Sequence, residues 1–233
     1  MSLVLFELRA REGQRYSQFS WRTTMALAHK GLKAEHKPVR VSDKAAIAFS
    51  SQDKVPILMD GQEMISDSWR IAEHLESRYP AAPSLFGGET GHGLARFINA
   101  WVDRTLIGRL VPLLAADVVL LLDEADALHL RSQFERFFGK PLEDLAGARD
   151  KDIMAFRKLL DPARAVMRAQ PFLSGAHPAC ADYTLFSLFQ WARIVSTFEV
   201  LEPKDALTAW RERMLDLFGG LARTETSFPA IER

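Results

Sequence analysis

Lys54-Val55-Pro56-Ile57-Leu58-Met59-Asp60-Gly61-Gln62-Glu63-Met64-Ile65-Ser66-Asp67-Ser68 is the stretch whose reading sets the fold. Two apolar runs, 55–59 and 64–65, flank an Asp-Gly step. Such a step between apolar runs is a strong hairpin signal, because Asp and Gly tolerate the positive φ of a tight turn. Asp67 and Ser68 are both good helix-capping residues. The pattern after them turns helical: Trp69, Ala72, Leu75 and Tyr79 share one face, and Pro80 ends it.

Upstream, Leu3-Val4-Leu5-Phe6 reads as a buried strand, followed by a polar loop over 9–15. Over 18–31 the spacing is helical, with Trp21, Met25, Ala28 and Leu32 at intervals of three and four and Gly31 as the stop. A second strand is read over 36–41. The order β-α-β, β-hairpin, α implies a crossover and a parallel strand pair.

Downstream, composition shifts at Pro80-Ala81-Ala82-Pro83, which reads as a linker. Beyond Gly91 there are few strand signals. The stretches 94–122, 128–138, 152–170, 181–198 and 203–218 carry helical periodicity or strong helix formers. No internal repeat is found. The expected organisation is an α/β domain over 1–80, a linker over 81–90 and an all-helical domain over 91–233.

Composition narrows the function classes. The chain has 233 residues, 48% hydrophobic and 26% charged, ordinary for a globular protein and wrong for a disordered one. Thirty Lys+Arg balance thirty Asp+Glu, so the basic excess that a phosphate backbone demands is missing and nucleic acid is not an expected partner. The one cysteine, Cys180, leaves no internal disulfide, CxxC pair or cysteine zinc site. The six histidines show no HExxH, so no metal site is read. The longest apolar stretch, 110–116, falls far short of the ~20 residues of a membrane span. The start MSLVLFELRARE lacks a basic segment followed by a long apolar one. The expectation is a soluble, cytoplasmic protein with no membrane partner.

Four motifs, in order and spacing, carry a resemblance over nearly the whole chain. They are Tyr16-Ser17-Gln18-Phe19-Ser20-Trp21-Arg22 at the head of the first helix, Lys54-Val55-Pro56-Ile57-Leu58, Ile65-Ser66-Asp67-Ser68 leading into Ile71-Ala72-Glu73-His74-Leu75, and Gly175-Ala176-His177-Pro178-Ala179-Cys180-Ala181-Asp182-Tyr183. Together they resemble the cytosolic glutathione S-transferase family, whose members pair a thioredoxin-like N-terminal α/β domain with an all-α C-terminal domain. Within the family the sequence is most similar to the serine-type bacterial β-etherase-like transferases and their fungal relatives. The shared features are the SxxxWR start of the first helix, the Pro-Ala-x-Ala-Asp-Tyr lead-in to the late helix, and Phe189-Gln190-Trp191-Ala192-Arg193 within it.

The resemblance implies a glutathione transferase, with glutathione as co-substrate, a small apolar or aromatic partner molecule, a role in detoxification, and a homodimer. It places the activating hydroxyl at Ser17. The physical demand is definite. A thiol of pKa ~8.5 is only a few per cent ionised at neutral pH. Lowering it by two units needs about 2.7 kcal/mol of preference for the anion. One hydrogen bond to a charged acceptor supplies ~1.5–3 kcal/mol, and a helix N-terminus adds ~0.3–1 kcal/mol. The plainer role for Ser17 is an N-cap. Ser20, one turn on, and Tyr16 are competing hydroxyls, and Gln18 stands where relatives often have proline.

By the same resemblance Val55-Pro56 is the family's cis-proline step, leaving the Val55 backbone to pair with the cysteinyl backbone of glutathione like an added strand. Lys54 would meet the glycyl carboxylate, with Lys44 a weaker candidate. Ser68 would hold the γ-glutamyl carboxylate at a helix N-terminus, and Asp67 the γ-glutamyl ammonium. Simple capping by Asp67 and Ser68 is compatible with both roles. Asp182 resembles the family's structural capping-box aspartate, with half of the box missing because Ala179 replaces the usual hydroxyl. Phe97, Trp101, Phe134, Phe137, Phe186, Phe189 and Trp191 are expected mostly in the core, some lining an apolar cleft. The apolar run 110–122 belongs to the core or beside a dimer contact, and Cys180 is a buried apolar residue. A carrier of hydrophobic ligands that binds glutathione with little turnover is the competing function. A thiol reductase would place a cysteine where Ser17 and Ser20 stand, and a bare interaction module would have no glutathione affinity.

Overall fold

Alternate residues of a strand face opposite sides of the sheet. In β1 (Leu3–Leu8) Leu3, Leu5 and Glu7 are accordingly buried, while Val4, Phe6 and Leu8 are half-buried. The computed structural model describes residues 2–227. β2 (Ala34–Val39) runs parallel to β1, with Leu5 opposite His36. β3 (Ile57–Asp60) runs antiparallel on the other side, with Leu5 opposite Leu58, and β4 (Glu63–Ser66) returns across the Asp60-Gly61 turn. The sheet order is β2-β1-β3-β4. Gly61 takes the positive φ, +62°, that the hairpin reading required.

The crossover is α1 (Gln18–His29), which packs against α2 (Ser68–Arg78). Leu5, Leu58, Ile71 and Leu75 are fully buried in the cluster these elements share with the helical half. Each such side chain contributes ~1.5–3 kcal/mol through removal from water. Behind the sheet, Val39, Ile47 and Ile57 form a smaller cluster with Phe6 and Val55. Ile47 comes from a short 3-10 turn, Ala45–Ser50, that the sequence reading did not anticipate.

The second half is helical, as expected: α3 (Glu89–Trp101), α4 (Ile107–Leu120), α5 (Glu124–Phe138), α6 (Leu142–Leu159), α7 (Asp161–Ala169), α8 (Cys180–Val195) and α9 (Ala206–Gly220). The structure differs from the sequence reading in the starts of α5 and α6, at Glu124 and Leu142 where 128 and 152 were expected, and in two internal breaks. The expected helix over 94–122 carries a widened π turn, Val102–Leu106, between α3 and α4. The expected helix over 152–170 is broken at Leu160, because Pro162 in the first turn of α7 has no N–H to continue the ladder. Phe186, Phe189 and Trp191 are buried, whereas Phe97 and Phe137 stand 68% and 81% exposed, so the aromatic set is not uniformly core. Among the described residues no helix is long and apolar enough to cross a membrane.

Asp182 is fully buried at the start of α8. Its carboxylate accepts from the backbone N–H of Leu173 (2.7 Å), Ser174 (3.1 Å) and Ala179 (3.2 Å), and from Trp210 Nε1 (3.0 Å). The aspartate half of the capping box is therefore formed, and Ala179 has no side-chain oxygen to make the other half. Burial still pushes the Asp182 carboxyl above its usual range, against the pull of these donors.

A second polar tie joins the halves. His29, at the end of α1, donates from Nε2 to the Ser84 carbonyl (3.0 Å) and faces the Tyr183 hydroxyl from Nδ1 (2.6 Å). With Nε2 donating, Nδ1 accepts from the phenol, which requires a neutral ring. Burial lowers the His29 pKa, and the neighbouring Lys30 charge adds to this. The native state therefore favours the neutral ring more than the unfolded chain does. This contribution is fully present above the unfolded value of about 6.5 and is lost as pH falls through the lower native value. We expect His29→Asn to flatten the melting temperature's fall between pH 7 and 5. Melting curves of the variant and the wild type across that range check it, and parallel profiles would contradict it.

Candidate functional site

The loop over 9–15 hands the chain to α1 at Ser17, whose φ of −80° and ψ of 119° are those of an N-cap. The Ser17 Oγ accepts from the Ser20 N–H at 3.3 Å. α1 has no acidic residue in its first turn, so the positive end of its dipole is left uncompensated there. Ser17 lines a pocket of about 280 Å³ with Lys54 and Val55, and with Phe19, Arg40, Lys44 and, from α5, Gln133. Lys44 Nζ donates to the Asp53 carbonyl at 2.7 Å, which fastens the loop that forms one wall.

The Val55–Pro56 peptide is cis. Among the described residues no hydrogen bond engages the Val55 N–H or carbonyl, and the Pro56 carbonyl accepts from the Asp67 N–H at 3.3 Å. Asp67 has a φ of +78°, and its side chain accepts from the N–H groups of Trp69 (3.0 Å) and Arg70 (3.1 Å), so it caps α2. Ser68 is the first residue of α2 and is buried. It lines a separate constriction of about 10 Å³ with Arg22, Asn99, Cys180 and Thr184. The structure thus brings Ser17, Lys54 and Val55 together in one pocket and ties Asp67 to the cis-proline step. Ser68 does not line that pocket; it shares the separate constriction with Arg22.

Of the three hydroxyls at the head of α1, only Ser17 lines the pocket. The Tyr16 hydroxyl is buried with no partner, and burial, with Asp126 and Asp123 nearby, pushes its pKa far above the tyrosine range. The Ser20 Oγ is buried and unpartnered as well. The Cys180 thiol is pushed up to about 12 by burial, so it is not an ionised sulfur at neutral pH.

The sequence reading missed the supports around this pocket. Arg22, 5% exposed, donates to Asp103 (2.7 Å), Asn99 (3.0 Å) and Ser187 (3.3 Å), and so binds α1 to the π turn, α3 and α8. It stands inside the quoted Trp21-Arg22 motif, so its position was visible but its partners were not. Arg40 and Ser42 hold the loop after β2 onto Asp123 and Asp126 at the start of α5, with the Ser42 N–H 3.0 Å from Asp126. No local pattern joins residues more than 80 positions apart. Gln133 reaches the pocket from the helical half in the same way.

Residues 93–222 match the family profile described as glutathione S-transferase, C-terminal domain. Residues 13–83 match the one described as glutathione S-transferase, N-terminal domain. Over 140 residues the chain is 29% identical to the glutathione S-transferase-like protein ustS of Aspergillus flavus; the match covers 54% of this chain and 49% of that one, about half the length of the relative. Over 74 residues it is 36% identical to a zeta-class glutathione S-transferase of Euphorbia esula, covering 30% of this chain and 33% of the other. Among solved structures, glutathione transferase GSTFuA3 of Phanerochaete chrysosporium superposes with a TM-score of 0.77 at 26% identity, covering 96% of this chain and 94% of that one. The glutathione S-transferase CsGST63524 of Ceriporiopsis subvermispora, solved in complex with glutathione, gives a TM-score of 0.74 at 20% identity over 99% and 100% of the two chains. At that identity the likeness is one of fold.

Proposed function

Because the chain belongs to the glutathione S-transferase family, we propose that it binds glutathione, ionises the thiol beside Ser17 and transfers the sulfur to an apolar aromatic electrophile. The observation that carries this reading is the placement of Ser17, at an uncompensated helix N-terminus, in one pocket with Lys54 and Val55. The hydroxyl donates to the sulfur and favours its anion, and the helix dipole adds to the preference. The Val55 backbone pairs with the cysteinyl residue, Lys54 faces the glycyl carboxylate, and Asp67 and Ser68 take the γ-glutamyl end. The thiolate then forms a C–S bond as the leaving group departs with its electron pair.

The substrate class follows from two supports. Phe19, Leu8 and Val41 give the pocket an apolar side. The β-etherase-like motifs at Trp21-Arg22 and Phe189-Gln190-Trp191-Ala192-Arg193 favour an aryl ether, whose C–O bond breaks to release a phenolate. Leu94 and Phe97, 64% and 68% exposed on α3, support self-association as a homodimer.

The test is a glutathione titration beside turnover assays with aryl halides and β-aryl ethers. Binding with turnover supports the reading. Binding with none favours a carrier of apolar cargo, and no binding at millimolar glutathione overturns the reading. Asp67→Asn sharpens the test, because asparagine keeps the cap and tolerates positive φ while removing the charge. We expect about tenfold weaker glutathione binding, the size of one charge-assisted hydrogen bond, with little change in melting temperature. Unchanged affinity with a large drop in melting temperature would reduce Asp67 to a cap.

A further inference from the structure

We infer that the C-terminal segment 221–227 is a strap that sets the position of the Ser17 hydroxyl, with Glu225 as its positioning residue; this rests on the reading of Ser17 as the partner of the thiol. The segment begins where α9 stops being helical. Phe218, Gly219 and Gly220 have φ values of +54°, +71° and +78°, and the helix is kinked there.

Beyond the kink it is held by α8. Gln190 Nε2 donates to the Ala222 carbonyl (2.9 Å), and Arg193 Nη2 donates to the carbonyls of Ala222 (2.7 Å) and Glu225 (2.8 Å). Gln190 is fully buried and itself accepts from Arg193 Nε at 3.2 Å. These are the polar residues of the Phe189-Gln190-Trp191-Ala192-Arg193 motif, which the pocket does not use.

The strap ends on the loop that leads into α1. One Glu225 oxygen accepts from the Arg15 backbone N–H at 2.9 Å, and the other accepts from the Arg15 Nε at 2.5 Å. The two side chains are 13% and 9% exposed, so solvent and salt screen the pair weakly. Arg15 is held from its other side too. Its carbonyl accepts from Trp21 Nε1 at 2.6 Å, and its guanidinium lies 4.6 Å from the centre of the Trp21 ring. Its N–H, carbonyl and side chain are thus all engaged, two residues before Ser17. The dihedrals of residues 15–17 decide where the Ser17 Oγ points, and Glu225 fixes the first of them from 210 positions away. A hydroxyl that must meet a sulfur within hydrogen-bond distance is sensitive to such placement, because a shift near 1 Å costs up to about a hundredfold in rate.

A purely structural staple would lower the melting temperature and leave the chemistry alone. A positioning residue moves the ionisation of the bound thiol. Glu225→Ala and the milder Glu225→Gln are compared with wild type by the ultraviolet absorbance of bound glutathione thiolate against pH, by kcat/KM and by melting temperature. We expect the bound thiol's apparent pKa to rise by about one unit and kcat/KM near pH 6.5 to fall about tenfold in the alanine variant, with a smaller change of the same sign in the glutamine variant. Arg223→Ala, on the same segment but bonded to Asp216 and Glu212, should titrate as wild type. Should the alanine variant fail to fold, the glutamine variant decides. A lower melting temperature with unchanged thiol pKa and kcat/KM overturns the inference. Ser17→Ala run alongside separates the two levels: full activity there overturns the Ser17 reading itself, whereas a Ser17→Ala with activity lowered about tenfold or more beside Glu225 variants that titrate as wild type overturns only the strap.

Discussion

Ser17→Ala will lower kcat/KM for conjugation by about 10- to 150-fold near neutral pH, the rate equivalent of one hydrogen bond to a charged sulfur, ~1.5–3 kcal/mol. Activity will not vanish, because the N-terminus of α1 stays and still favours an anion by ~0.3–1 kcal/mol. The deficit will shrink at alkaline pH, where glutathione ionises without help. The same substitution removes the acceptor for the Ser20 N–H, so the helix loses a cap worth ~0.5–2 kcal/mol. Ser17→Gly separates the two losses, since glycine caps nearly as well as serine. It should lose as much activity as the alanine variant and stay closer to wild type in melting temperature. Full activity in both would refute the assignment. Loss in Ser20→Ala in their place would move the hydroxyl one turn along α1, to a side chain that the structure buries without a partner.

Asp182→Ala should produce the largest loss of stability of any single change considered. The carboxylate serves three backbone N–H groups and the Trp210 indole within a fully buried site. Each buried donor left without an acceptor costs ~1–3 kcal/mol. Even with partial rescue by water, a loss of at least about 3 kcal/mol is expected, or roughly 6–12 °C in melting temperature for a chain of this size. Asp182→Asn keeps one acceptor oxygen and should fall between the two. Glutathione affinity of the folded fraction should not change, because the Asp182 carboxylate is buried in the helical half and engaged there by Leu173, Ser174, Ala179 and Trp210. A drop of less than 1 °C in a thermal melt would contradict this account of α8.

The sheet half was legible because its signals are local. Asp60-Gly61 marks the hairpin, and the apolar run Leu3-Val4-Leu5-Phe6 marks the strand that the structure places inside the sheet as β1. The cis Val55–Pro56 step came from the family likeness, and the structure has it. The helical half was readable as helices but not in its breaks. The first ten residues of α6, from Leu142 to Lys151, hold few apolar residues and a glycine, so their period was weak. The π turn at Val102–Leu106 leaves no mark in residue type, although Asp103 uses it to meet Arg22. The pocket itself was half visible. Ser17, Lys54 and Val55 lie near motifs, but Arg40, Gln133 and the Glu225–Arg15 clasp join distant segments that only the packed chain brings together.

The central claim is that the sulfur of glutathione rests beside the Ser17 hydroxyl. A crystal structure of the protein with glutathione bound tests it most directly. The account predicts the cysteinyl sulfur within about 3.5 Å of the Ser17 Oγ, with the cysteinyl backbone paired to Val55. A sulfur turned toward another side chain, or a pocket that stays empty of the tripeptide at millimolar concentration, would contradict it.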